Sequence, residues 1–138
     1  MIASSGQPEV HEFDLIKQAG YDLVINLALT DSPHAISNEA EVVKQANMEY
    51  LHIPVDFKAP TVANLDQFFN AMEKNKNKKI YIHCALNMRV SAFLFLYRTI
   101  KQQWPVQKAI EDLNAIWKPD AIWENFINSS LTKNNIRI

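Results

Sequence analysis

The segment IYIHCALNMRVSAF places Cys84 and Arg89 on either side of Ala85, Leu86, Asn87 and Met88, with an apolar run before them and a longer one after. A cysteine where a strand ends and an arginine where a helix begins is a pairing suited to an anion. Ligands of open α/β sheets bind beyond the carboxyl ends of the strands, and a helix N-terminus offers unpaired N–H groups and the positive end of its dipole. The same field favours a thiolate over a thiol, so Cys84 is a candidate nucleophile. The planar fork of Arg89 matches two oxygens of a phosphoryl group and would hold them better as the transition state forms. A lone cysteine at a buried strand end is by itself usually an inert core residue. The arginine and the strand-to-helix switch point instead to anion binding and turnover.

At 138 residues and 48% hydrophobic composition, the chain is long enough for one core, and residues 1–138 are read as a single domain. With 21% charged residues and a formal net charge of −1, no global field favours nucleic acid or a membrane surface, so a substrate must be recognised locally. Cys84 is the only cysteine, which excludes an internal disulfide and a zinc site built from several thiolates. His11, His34 and His52 form no ligand spacing with His83, and neither a metal nor another cofactor is expected. No apolar run approaches the roughly 18 to 20 residues that span a bilayer. Residues 1–8 lack the basic start and apolar stretch of a signal peptide, so a soluble, cytoplasmic protein is expected, with a removed leader as the alternative. Oligomeric state is left open.

The elements that must position the pair follow from periodicity. Val10, Phe13, Leu15 and Ile16 suggest a helix over residues 8–20 that Gly20 ends in a left-handed conformation. DLVINLA at residues 22–28 reads as a strand buried on both faces, and Asn38 is placed to cap a helix running to about Asn47. Leu51, Ile53 and Val55 alternate with polar neighbours, giving a strand over residues 50–55 that Pro54 stops from pairing further. A helix from about Thr61 carries Leu65, Phe68, Phe69 and Met72 on one face, and IYIHC is a strand ending at Cys84. Residues 90–104 are apolar nearly all round, as a central helix would be, and Pro105 and Pro119 stand at first-turn positions of two amphipathic helices ending near Trp117 and Leu131. Strands alternating with helices predict an α/β fold, a mainly parallel central sheet flanked by helices, with a helical C-terminal portion. Trp104, Trp117 and Trp123 are read as core residues, and Lys74, Lys76, Lys78 and Lys79 as a solvated loop.

His83, Cys84 and Arg89 resemble the signature loop of the protein tyrosine and dual-specificity phosphatases. SGQP at residues 5–8, GYDLVINL at residues 20–27 and YLHIPVD at residues 50–56 are similar to the bacterial phosphatase-like proteins related to the beta-lactamase-hydrolase-associated domain. The resemblance implies a cysteine-phosphatase-like fold and a phosphorylated substrate, protein or small molecule. Cys84 would form a phosphocysteine, Arg89 would bind phosphate together with residues 85–88 and Ser91, His83 would support the cysteine, and an upstream aspartate would protonate the leaving oxygen. Asp56, 84 − 56 = 28 residues before the cysteine, is the first candidate for that acid, with Asp66 and Asp31 behind it. Asp56 equally suits a plain turn cap.

Departures from the family pattern keep rivals open. The usual loop has five residues between cysteine and arginine where this one has four, a spacing shared with rhodanese-like sulfurtransferases and with some of the phosphatase-like group. The usual glycine is absent, and Asn87, of the residue type next most tolerant of the left-handed region, stands in the loop. Val90 replaces the hydroxyl that often follows the arginine, and Ser91 comes next. The alternatives are therefore a sulfurtransferase carrying a persulfide on Cys84, and a phosphate-binding module without turnover, to which the apolar Leu86 and Met88 lend weight.

Overall fold

A computed structural model describes residues 1–137. Four short strands form one parallel sheet: β1 (Ile2–Ser5), β2 (Leu23–Asn26), β3 (Glu49–His52) and β4 (Ile80–His83), in the order β1-β4-β2-β3. Six α-helices accompany them: α1 (Glu12–Gln18), α2 (Glu39–Gln45), α3 (Val62–Lys74), α4 (Met88–Leu96), α5 (Val106–Ile116) and α6 (Ala121–Lys133). The expected parallel α/β architecture with a helical C-terminal portion is what the chain forms.

Alternation along the strands sorts side chains between two apolar layers. Leu23, Ile25, Ile80, Ile82 and Cys84 pack with α3, α4, α5 and α6. On the other face Val24, Tyr50 and Tyr81 pack with Phe13 and Ile16 of α1 and Val43 of α2. The inner position of β4 between β1 and β2 explains why IYIH is mostly apolar and buried at three of its four positions, and α4, apolar nearly all round, is buried along nearly its whole length.

Several boundaries differ from expectation. β1 was not anticipated: Ile-Ala-Ser-Ser carries little strand signal and becomes a strand through its pairing with β4. The first helix begins at Glu12 rather than near Pro8, and Val10 and Leu15 are 54% and 57% exposed, so only Phe13 and Ile16 face the core. Gly20 does take the left-handed conformation, with φ 97°. Asn38 precedes α2 without a side-chain capping bond, whereas Thr61 caps α3 by accepting from the Asn64 N–H. Regular pairing of β3 ends at His52, yet Ile53 and Val55 donate to Asn26 and Leu27, so Pro54 does not break the association. The central helix is α-helical to Leu96 and finishes in a π-helical turn at Tyr97–Lys101, leaving Trp104 beyond it. Pro105 and Pro119 lie just outside α5 and α6, and Asp120 caps α6 through the Trp123 N–H.

Candidate active site

Because Ile80, Ile82 and Cys84 alternate with Tyr81 and His83, the cysteine emerges on the α4 side of the sheet and the histidine on the α1–α2 side. The Cys84 N–H donates to the Ser5 carbonyl at 3.4 Å, the last tie to β1 before the chain turns. Asn87 makes the turn into α4 with φ 66°, the left-handed conformation glycine would otherwise supply.

The turn directs its carbonyls backward. The Ala85 carbonyl accepts from the Gln7 N–H at 3.1 Å, the Asn87 carbonyl from the Ser91 N–H at 2.9 Å, and the Met88 carbonyl from the Ser91 hydroxyl at 2.7 Å. The Cys84 carbonyl faces His83 Nδ1 at 3.3 Å. In a trans peptide the C=O and the next N–H point in opposite directions. Each clasped carbonyl therefore turns the following amide, that of Ala85, Leu86, Met88 or Arg89, toward the other side. Among the described residues, no protein acceptor meets the N–H of any residue from 85 to 90.

Ala85, Leu86, Met88 and Arg89 border a cavity of about 700 Å³. Cys84, with no solvent-accessible surface of its own, lies against its floor, and Leu86 at the rim is 68% exposed. The loop after β2 contributes Leu29, Asp31, Pro33 and His34 to the walls, and the loop after β3 contributes Asp56, Phe57 and Lys58. Arg89 is 6% exposed: Nη1 donates to the Val55 carbonyl at 2.9 Å, Nε is buried without a protein partner, and the guanidinium stands 5.9 Å from the Phe57 ring centroid. One edge of the fork is thus anchored while Nε remains available to an anion.

Of the acid candidates, Asp56 and Asp31 border the cavity and Asp66 does not, being exposed on α3. Asp56 Oδ1 accepts from the Lys58 N–H at 2.9 Å, as a turn cap does, while the residue still faces the cavity. Trp123 Nε1 donates to the Phe57 carbonyl at 2.8 Å, and Phe57 packs between Trp117 and Trp123, so α6 and the segment before it hold the Asp56 loop.

Two residues expected to touch substrate stand elsewhere. Ser91 does not border the cavity: its hydroxyl donates to the Met88 carbonyl and accepts from Trp117 Nε1 at 3.0 Å, because one further residue along α4 turns it to the back of the loop. The Asn87 side chain does not border it either, and its buried Oδ1 has no partner. Gly6 earns its place by close approach, since a Cβ there would come 2.7 Å from the Ala85 carbonyl oxygen.

The support behind Cys84 includes residues that sequence reasoning missed. His83 Nε2 lies 2.7 Å from Oε2 of Glu39, both side chains almost wholly buried, and Glu39 Oε1 accepts from Gln7 Nε2 at 2.8 Å. Tyr50 borders the same region; burial first, and then the Glu39 carboxylate, push its hydroxyl up to about 12, so it stays neutral. A glutamate in a first helical turn reads as an ordinary dipole partner. Only Gln7, inside SGQP, carried a sequence signal. Among the described residues no three His, Cys, Asp or Glu side chains group to hold a metal ion, and no helix is long and apolar enough to cross a membrane.

Residues 2–128 match the family described as PTP-NADK, DSP-PTPase phosphatase fused to NAD+ kinase. Among solved structures, the DUF442 phosphatase candidate from Shewanella putrefaciens CN-32 is 36% identical, with a TM-score of 0.86 over 96% of this chain and 87% of that one. Tk-PTP in its active form is 22% identical, TM-score 0.74, over 99% and 92% of the two chains. PTPMT1, solved in complex with PI(5)P, is 17% identical, TM-score 0.79, over 98% and 92%. No curated protein matches the chain significantly.

Proposed function

The chain belongs to the PTP-NADK family of DSP-PTPase phosphatases, and from that membership we propose a phosphomonoester hydrolase that works through a phosphocysteine on Cys84. The family selects a phosphatase over the sulfurtransferase alternative. The observation that carries the reading is the peptide geometry of the loop: the carbonyls of Ala85, Asn87 and Met88 accept from donors behind it, that of Cys84 faces the His83 ring, and the N–H groups of residues 85–90 meet no protein acceptor, with Ala85, Leu86, Met88 and Arg89 bordering the cavity beside Cys84.

In this proposal the phosphoryl group sits in the cradle of amides, with Arg89 on its remaining oxygens. The Cys84 sulfur attacks phosphorus, the P–O bond to the leaving group breaks, and Asp56 gives its proton to the departing oxygen. Water then attacks the phosphocysteine and returns a proton to Asp56. The S–P bond breaks, releasing phosphate and the thiolate. Apolar wall residues Leu29, Pro33, Phe57 and Leu86 suit an aryl or protein-borne phosphate. Residues 1–138 are taken as one domain, a reading supported by the indole donors that link the C-terminal segment to Phe57 and Ser91.

The test is release of p-nitrophenol from p-nitrophenyl phosphate, followed by phosphotyrosyl peptide, phosphoinositide and NADP+ as substrates. Hydrolysis should fall by on the order of a thousandfold or more in Cys84→Ser while phosphate binding persists. Binding of inorganic phosphate with no hydrolysis of any of these esters would select the silent module instead. Activity undiminished in Cys84→Ser would remove the nucleophile.

A further inference from the structure

We infer that Glu39, on the far face of the sheet from Cys84, is the positioning residue that aims the first two amides of the phosphate cradle. The inference rests on the phosphatase reading and extends it to a residue that touches no substrate.

Two peptides open the cradle, and both are oriented from behind. The carbonyl of the peptide joining Cys84 to Ala85 lies against the His83 ring, 3.3 Å from Nδ1. The peptide joining Ala85 to Leu86 is held by the Gln7 N–H. These two supports come from different strands, β4 and the segment after β1, and they converge on one carboxylate. Glu39 Oε2 fixes the His83 ring and Oε1 fixes the Gln7 side chain. Glu39 and His83 are 3% and 0% exposed at their side chains, so solvent cannot substitute for either partner. The Met88 and Arg89 amides are oriented independently, through Ser91.

Leucine at this position keeps most of the volume and offers no acceptor, so Gln7 Nε2 and His83 Nε2 both lose their partner. Glutamine, by contrast, can accept from Gln7 Nε2 with its oxygen and donate its nitrogen to His83 Nε2 once the ring proton sits on Nδ1. Glu39→Leu should lower kcat on p-nitrophenyl phosphate about tenfold, a fraction of what losing a whole oxyanion donor costs. KM should change little, and Glu39→Gln, which can meet both partners in that tautomer, should recover part of the loss.

The deciding measurement is amide NMR of the whole chain titrated with inorganic phosphate. In the unmodified protein the Ala85, Leu86, Met88 and Arg89 amide signals should all shift. In Glu39→Leu the shifts of Ala85 and Leu86 should shrink while those of Met88 and Arg89 persist. Equal responses at all four amides in Glu39→Leu would overturn the inference and leave the phosphatase reading intact. No response at any of them in the unmodified protein would overturn the cradle itself, and this inference with it. Should Glu39→Leu fail to fold, Gln7→Ala at the half-buried end of the relay replaces it, with a reduced Leu86 shift expected and an unchanged one counting against the proposal.

Discussion

Trp123 donates its indole N–H to the carbonyl of Phe57, 66 residues earlier, at 2.8 Å. That bond fastens α6 to the loop that carries Asp56, so the last helix of the chain helps set the reach of the proposed acid. Trp123→Phe keeps the ring contacts and removes the donor. The expected outcome is a stability loss of about 1–3 kcal/mol, the cost of leaving a carbonyl unpaired, seen as a lower urea midpoint. Turnover per folded molecule should also fall, because the Asp56 loop loses its tether.

Asp56 as acid predicts dependence on the leaving group. Asp56→Asn should slow phenyl phosphate by about a hundredfold, within the usual range for general acid catalysis, and p-nitrophenyl phosphate much less, since p-nitrophenolate leaves without a proton. Steady-state rates on the two esters check this. Equal losses would assign Asp56 to the turn alone and bring Asp31, also at the cavity, forward as the acid.

Cys84 is buried yet borders the cavity proposed to take the phosphoryl group, so the proposal predicts charge-selective alkylation. Iodoacetate should label it faster than iodoacetamide by about tenfold, through local electrostatic attraction, and inorganic phosphate should suppress the difference. As it is the only cysteine in the chain, one mass increment reports the site. Faster labelling by the neutral reagent, indifferent to phosphate, would argue against a positive cradle.

Gly6→Ala tests the loop from outside the cavity. The added methyl meets the Ala85 carbonyl oxygen at 2.7 Å, a backbone atom with little freedom to retreat. Rotating that peptide turns the Leu86 amide out of line, so kcat should drop by about tenfold and stability by about 1–3 kcal/mol. Wild-type kinetics in the variant would show that the loop tolerates displacement.

Local features were the most legible. Asn87 in the left-handed region, Gly20 closing α1 and the start of α3 near Thr61 follow from the conformational preferences of single residues and their immediate neighbours, whereas Asn38, expected as a cap, makes no side-chain capping bond. The apolar strand before Cys84 and the all-round apolar α4 follow from pattern. What failed were features that local pattern underdetermines. β1 has too few residues to declare itself, and the spacing of Val10 and Leu15 suited a helix face that has no partner to bury it. Ser91 was assigned by order along the chain, whereas its direction depends on the turn of a helix whose start Asn87 sets.

By itself the sequence determined which chemistry is possible: a thiol and a guanidinium with four residues between them, at a strand-to-helix junction, with an aspartate upstream. Only the tertiary structure decided which way the first two peptides of the loop face, because that depends on groups from elsewhere: Gln7 beyond β1, and the His83 ring paired with Glu39 at a separation of 44 residues. A residue type fixes what a group can bond. The direction of a carbonyl is settled by whichever distant donor the fold brings to it, and no periodicity along the chain encodes that meeting.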